Sequence, residues 1–156
     1  MWQRIQSVFI ILVIVSLVLA IIYPVWIGLD KDVEYKLYPI YLLAKEEGLQ
    51  GKGISSAYFP NSLSAILMVA IITIAVTEFR RFDNRLLQVK LGLLNSLLLL
   101  ALVIAEVFFA SQLNTAHPGK FEIGLYFVMA AIVCNWLAVR FIRHDEKKVR
   151  DADRIR

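Results

Sequence analysis

Four long apolar stretches, separated by short polar ones, dominate the chain. Residues 5–29 carry no charge, and their only strongly polar side chains are Gln6, Ser7 and Ser16. Further apolar runs cover residues 62–79, 91–113 and 121–140. A helix needs ~20 apolar residues to cross a hydrocarbon core of ~30 Å. The second run has the shortest apolar centre, residues 63–76, and reaches a spanning length through Thr77 and Phe79. The pattern therefore predicts an all-α integral membrane protein. One domain, residues 1–156, forms a four-transmembrane-helix bundle with an outer loop at 30–60 and a charged tail at 141–156. A cleaved secretory signal has an apolar core of only ~7–15 residues and a small-residue cleavage site. The first run is longer and closes on Tyr23, Pro24, Val25 and Trp26, so a retained first helix is expected.

The pattern changes between 30 and 60. Val33-Glu34-Tyr35-Lys36-Leu37-Tyr38 alternates apolar and polar residues, as a half-buried strand does, and Pro39 stops it. Gly48, Gly51 and Gly53 then mark a turn-rich return. Tyr35, Tyr38, Tyr41, Tyr58 and Phe59 make this loop aromatic. It reads either as a lid on the bundle or as a docking surface. The connection at 111–120, with Pro118-Gly119, reads as a plain hairpin between the third and fourth spans.

Charge fixes the expected orientation. Of the 17 Lys and Arg residues, twelve lie at one end: Arg4; Arg80, Arg81, Arg85 and Lys90; and seven between 140 and 156. Lys31, Lys36, Lys45, Lys52 and Lys120 lie at the other. Positive charge concentrates in cytoplasmic segments, so both termini are expected in the cytoplasm. An even number of spans requires the termini to share a side.

Composition narrows the function classes. The chain is 59% hydrophobic with a net charge of +4, and its mean hydropathy is +0.66. That excludes an ordinary soluble domain, and four spans leave no room for a separate one. The basic residues flank membrane ends and the tail mixes both signs, so nucleic acid is not expected as a partner. Cys134 is the single cysteine, and His117 and His144 stand far apart, so no metal-ligand spacing and no metal or cofactor is expected. No nucleophile–base pairing, phosphate-binding glycine loop or internal repeat is visible, which argues against an enzyme and an autonomous transporter.

Polar residues within the spans are the remaining candidates. Asn95, Leu99, Leu102, Glu106 and Phe109 follow a 4-3-4-3 spacing and share one face of the third helix. Asn135 lies at the same depth on the antiparallel fourth helix, beside the small-residue repeat Ala130, Cys134, Ala138. An Asn95–Asn135 hydrogen bond is the expected link between these helices. Glu106 stands ~22 Å from the inner end of its span, where an ionised carboxylate must be paired, hydrated or neutralised. Lys120 is the expected partner, reaching down from the start of the fourth helix. Glu106 is then a packing element, a water-linked proton or ion site, or a partner contact. In the tail, the oppositely charged pairs Glu146–Arg150 and Lys147–Asp151 support a helix continuing from the fourth span. The tail reads as a solvated helix end or as a docking helix.

Three segments carry a family resemblance: Gln3-Arg4-Ile5-Gln6-Ser7-Val8; Asn84-Arg85-Leu86-Leu87-Gln88-Val89-Lys90-Leu91 with Asn95; and the closing run from Asp145 to Arg156. Together they resemble a Bacteroidota family of four-helix inner-membrane proteins catalogued as a domain of unknown function. The resemblance covers essentially the whole chain and implies a multi-pass protein of the bacterial inner membrane, with no activity or cofactor. Trp2 departs from the aliphatic residue expected at that position. The turn and tail, through Arg80, Arg81, Asn84, Arg85, Gln88, Lys90, Asp145, Glu146, Arg150, Asp153 and Arg154, form the expected cytoplasmic contact surface. The functional expectation is a non-catalytic accessory or scaffold subunit of a larger membrane complex, with the lipid bilayer and other membrane proteins as partners. The alternative is a small proton- or ion-conducting or sensing protein that uses Glu106.

Overall fold

The structure, a computed structural model, describes residues 3–30, 33–46, 54–57, 62–81 and 85–154. Four helices account for most of it: α1 (Gln3–Ile22), α2 (Ser62–Arg80), α3 (Arg85–Ala116) and α4 (Ile123–Arg154). All four are long and apolar enough to cross a membrane. They run up-down-up-down in a closed square, with α1 against α2 and α4, and α3 against α2 and α4. Stacking of Phe9 on Phe141 at 5.5 Å and the Tyr23–Phe127 contact at 5.6 Å set the antiparallel register of α1 on α4.

The core is built from one stripe of each helix. Val13, Leu17 and Ala20 of α1 meet Met68 and Ile71 of α2, Leu99 and Leu102 of α3, and Val128 and Ala131 of α4. The outer faces are apolar as well: Ile66 is 65% exposed and Leu97 67%. Such a surface suits lipid, which solvates it as readily as another helix does. Hydroxyls on the outer face are satisfied within their own helix. Thr73 donates to Val69 O and Thr77 to Thr73 O, each at 2.8 Å.

The all-α expectation needs correction, because five strands form an antiparallel sheet at one end of the bundle. They are β1 (Trp26–Asp30), β2 (Val33–Leu37), β3 (Leu42–Glu46), β4 (Ile54–Ala57) and β5 (Gly119–Phe121). Their order is β4-β3-β2-β1-β5. Only β2 was legible as alternation. β1 comes from the end of the first apolar run, which was read as helix to residue 29. Tyr23 still donates to Leu19 O at 3.0 Å, but Pro24 brings no N–H for a further turn, and the helix stops there. β5 comes from the connection read as a plain hairpin, and pairs Trp26 with Phe121 and Gly28 with Gly119. The turn-rich return through Gly48, Gly51 and Gly53, and the aromatic pair Tyr58 and Phe59, lie outside the described residues.

Trp26 locks this sheet to the bundle. Its indole is 1% exposed and packs with Leu37 and Ala110. The ring also fills the space that side chains at Gly28 and Gly119 would need; a Cβ there would stand 2.2 and 2.3 Å from indole carbons. At the neighbouring strand–helix junction, Gly124 donates to Pro24 O at 3.0 Å and Glu122 to Val25 O at 2.8 Å. The end opposite the sheet carries the α2–α3 turn and the close of α4, and with them most of the basic residues.

Candidate functional site

Two polar foci are buried in the bundle, one near each end. Near the sheet, Glu106 of α3 is 1% exposed, as is Ser64 of α2. Ser64 stands beside the Glu106 carboxyl without reaching hydrogen-bond geometry. Glu106 Oε1 has no hydrogen-bond partner among the described residues. The expected Lys120 partner is elsewhere. Lys120 belongs to β5, its side chain is 78% exposed, and it pairs with Glu122 at 3.2 Å. The sequence reading began a helical face at Lys120, but the chain is still extended there and enters α4 at Ile123. That removes the geometry by which its stem would descend to Glu106.

The second focus, at the basic end, includes a carboxyl that the sequence reading passed over. Glu78 of α2 is 1% exposed, and neither carboxyl oxygen has a hydrogen-bond partner among the described residues. Gly92 of α3 lies opposite. A Cβ on Gly92 would stand 2.5 Å from a methyl of Val139 and 3.1 Å from Glu78 Oε1. The glycine thus lets α2, α3 and α4 converge. Gln88, one turn earlier on α3, donates to Glu78 O at 3.1 Å, which ties the start of α3 to the end of α2.

Asn135 joins α4 to this junction, but not through Asn95. Its Nδ2 donates to Gly92 O at 3.1 Å and to Ser96 Oγ at 2.8 Å, and Ser96 donates in turn to Gly92 O at 3.0 Å. Asn95 is fully buried, with neither side-chain atom hydrogen-bonded among the described residues. The two asparagines do match in depth. Successive helical residues, however, turn by ~100°, so Ser96 looks at α4 while Asn95 looks along the Leu99–Leu102–Glu106 stripe. Depth was readable from spacing, whereas azimuth needed the packing of all four helices.

The expected cytoplasmic contact surface divides. Arg80, Arg81 and Lys90 are exposed. Gln88 is buried, so it belongs to the interior instead. Asp145 is half-buried and accepts a hydrogen bond from Gln6 of α1, while Glu146 is half-buried. Asn84 lies outside the described residues. Arg85, Arg150, Asp153 and Arg154 are helical; the run read as a basic turn is thus helix from Arg85 onward.

Beside the sheet, three residues that the sequence reading did not connect come together. His117 stacks on Tyr35 with ring centroids 4.0 Å apart, and its Nδ1 lies 3.0 Å from Asp30 Oδ2. Sequence separation hid this cluster, which depends on β5 pairing back onto β1. Among the described residues no group of His, Cys, Asp and Glu is arranged to hold a metal ion.

Four helices long and apolar enough to cross a membrane, closed by a small sheet at one end and holding polar groups inside, define a mostly helical class of protein consistent with a membrane location. The chain belongs to the family described as Domain of unknown function (DUF4293), whose model matches residues 2–155. No curated protein matches it.

Proposed function

We propose that the protein is a non-catalytic accessory or scaffold subunit of a larger assembly in the bacterial inner membrane, with both termini in the cytoplasm and the sheet on the opposite side. The observation that carries this reading is the apolar plug between the two buried carboxyls. Ser64 and Glu78 are ~21 Å apart along α2, and Met68, Ile71, Leu99 and Leu102 fill the bundle between them. A conducting protein needs a continuous polar or hydrated route. In this reading the buried polar groups instead set how the helices pack. The partner surface is at the basic end. Gln6 meets Asp145 there, so α4 runs on past the start of α1 at Gln3 to Arg154, by ~9 Å.

Mild-detergent isolation from native membranes followed by mass spectrometry tests the proposal. The expected result is a stoichiometric membrane partner that is lost when residues 148–156 are removed. Recovery of the chain alone, from gently solubilised membranes, counts against it. Proton or ion conduction through Glu106 is the second reading, favoured by its unpartnered Oε1. It predicts a liposome flux that Glu106→Gln abolishes.

A further inference from the structure

We infer that the outer groove between α3 and α4 at the basic end is a binding site for an anionic phospholipid. The groove has a volume of about 330 Å³ and is lined by Leu93, Ser96, Trp136, Val139, Arg140 and Arg143. A second hollow of about 460 Å³ continues it along α4 past Arg140 and Arg143 to His144 and Lys147. Trp136, Arg140, Arg143 and Lys147 follow a 4-3-4 spacing, which puts them on one helical face. The Arg140 guanidinium lies 5.3 Å from the Trp136 ring centroid, a cation–π contact that holds it at the groove mouth. Among the described residues, Arg140, Arg143 and Lys147 have no carboxylate partner. Three cations on one face are thus left for an outside anion.

The surroundings favour a lipid over other anions. From Leu93 the exposed stripe Leu97, Leu100, Ile104 runs along α3 toward the sheet. From Trp136 the exposed stripe Val133, Met129, Tyr126 runs the same way along α4. An acyl chain lying between these stripes would have its phosphate at the level of Arg140 and Arg143. Trp136 stands where aromatic rings anchor at the interface. Basic pockets between membrane helices on the cytoplasmic side are suited to anionic headgroups. Ser96, on the groove wall, also accepts from Asn135, so the bound lipid would brace the α3–α4 seam.

The test uses the full chain in vesicles, with Trp2→Phe to simplify the fluorescence. Brominated phosphatidylglycerol should quench the exposed Trp136 about threefold more than brominated phosphatidylcholine at equal content; the buried Trp26 serves as internal reference. Equal quenching by the two lipids overturns the site. Arg143→Gln with Lys147→Gln should bring that ratio down to about one. Arg80→Gln with Arg81→Gln, at the same end but away from the groove, should leave it unchanged. If both pairs lower it alike, general surface charge explains the preference and the groove does not. Millimolar inorganic phosphate should not relieve the quenching; relief would mean a phosphate site, not a lipid site. The wild-type lipid comparison can still overturn the site, by equal quenching, even if the charge variants fail to fold.

Discussion

The two buried polar foci differ in how they are held. Near the sheet, Glu106 and Ser64 face each other across the α2–α3 contact, above a plug of Met68, Ile71, Leu99 and Leu102, and the Glu106 Oε1 is unpartnered. At the basic end, Glu78 is equally buried, but a backbone-level network surrounds it. Gln88 grips the carbonyl of Glu78, while Asn135 and Ser96 converge on the carbonyl of Gly92. One focus is a polar group inserted into a core. The other is a joint between three helices, made possible by an absent side chain. Burial alone does not distinguish them; what distinguishes them is whether hydrogen bonds cross between helices.

Breaking the joint should have the largest effect. Gly92→Val puts new carbons where Val139 and the Glu78 carboxyl already stand, and overpacking of this kind costs on the order of 3 kcal/mol. A detergent-melting curve should show the loss, and Val139→Ala should restore part of the stability of the milder Gly92→Ala variant. A Gly92→Val protein as stable as wild type would contradict the close convergence of α2, α3 and α4.

The two asparagines sharpen the contrast at the next level. Asn135→Leu removes two interhelical hydrogen bonds, and in membranes such losses amount to about 1.5 kcal/mol. Asn95→Leu removes an amide with no hydrogen bond in the described structure, so melting should be unchanged or slightly higher. Equal losses from both would restore the direct asparagine pair that spacing alone suggested.

That contrast also shows what was legible in the residues. Glu106 stood out because no other charge lies between Lys90 and Lys120, and the 95–99–102–106 face was readable from the helical period. Glu78 was hidden by its neighbours: two residues before Arg80 it resembles an interfacial charge, and only the early start of α3 at Arg85 brings Gln88 and Gly92 against it. The sheet was hidden for a different reason. Residues 25–29 are uncharged like the helix before them, and absence of charge does not separate a strand buried on a bundle from the end of a span. Pro24 was the local signal, counted as part of the first apolar run when it marked the change of structure. β5 had no signal of its own, since three residues pair only because β1 presents them an edge.

A smaller effect is expected at the sheet-end focus. Glu106→Gln keeps the shape, and Glu106→Leu removes a polar group that lacks full hydrogen bonding. The first should leave melting within about 0.5 kcal/mol of wild type. The second should be neutral or stabilising by about 1 kcal/mol, as replacements of poorly satisfied buried polar groups often are. A marked loss in both would mean that Glu106 is held by interactions comparable to those around Asn135, and the contrast between the foci would disappear.

The smallest effect concerns Lys120. Its link to Glu122 is an exposed pair of the kind that contributes about 0–1 kcal/mol, so Lys120→Ala should scarcely change melting. The more informative measurement is a cycle of Lys120→Ala and Glu106→Gln, singly and together. Residues that share no contact add within about 0.3–0.5 kcal/mol. Additivity is expected, because Lys120 lies on the exposed edge strand β5 while Glu106 lies beneath the sheet in the α2–α3 contact. A coupling clearly above that range would put the lysine back beside the carboxyl and turn an inserted polar group into half of a buried ion pair.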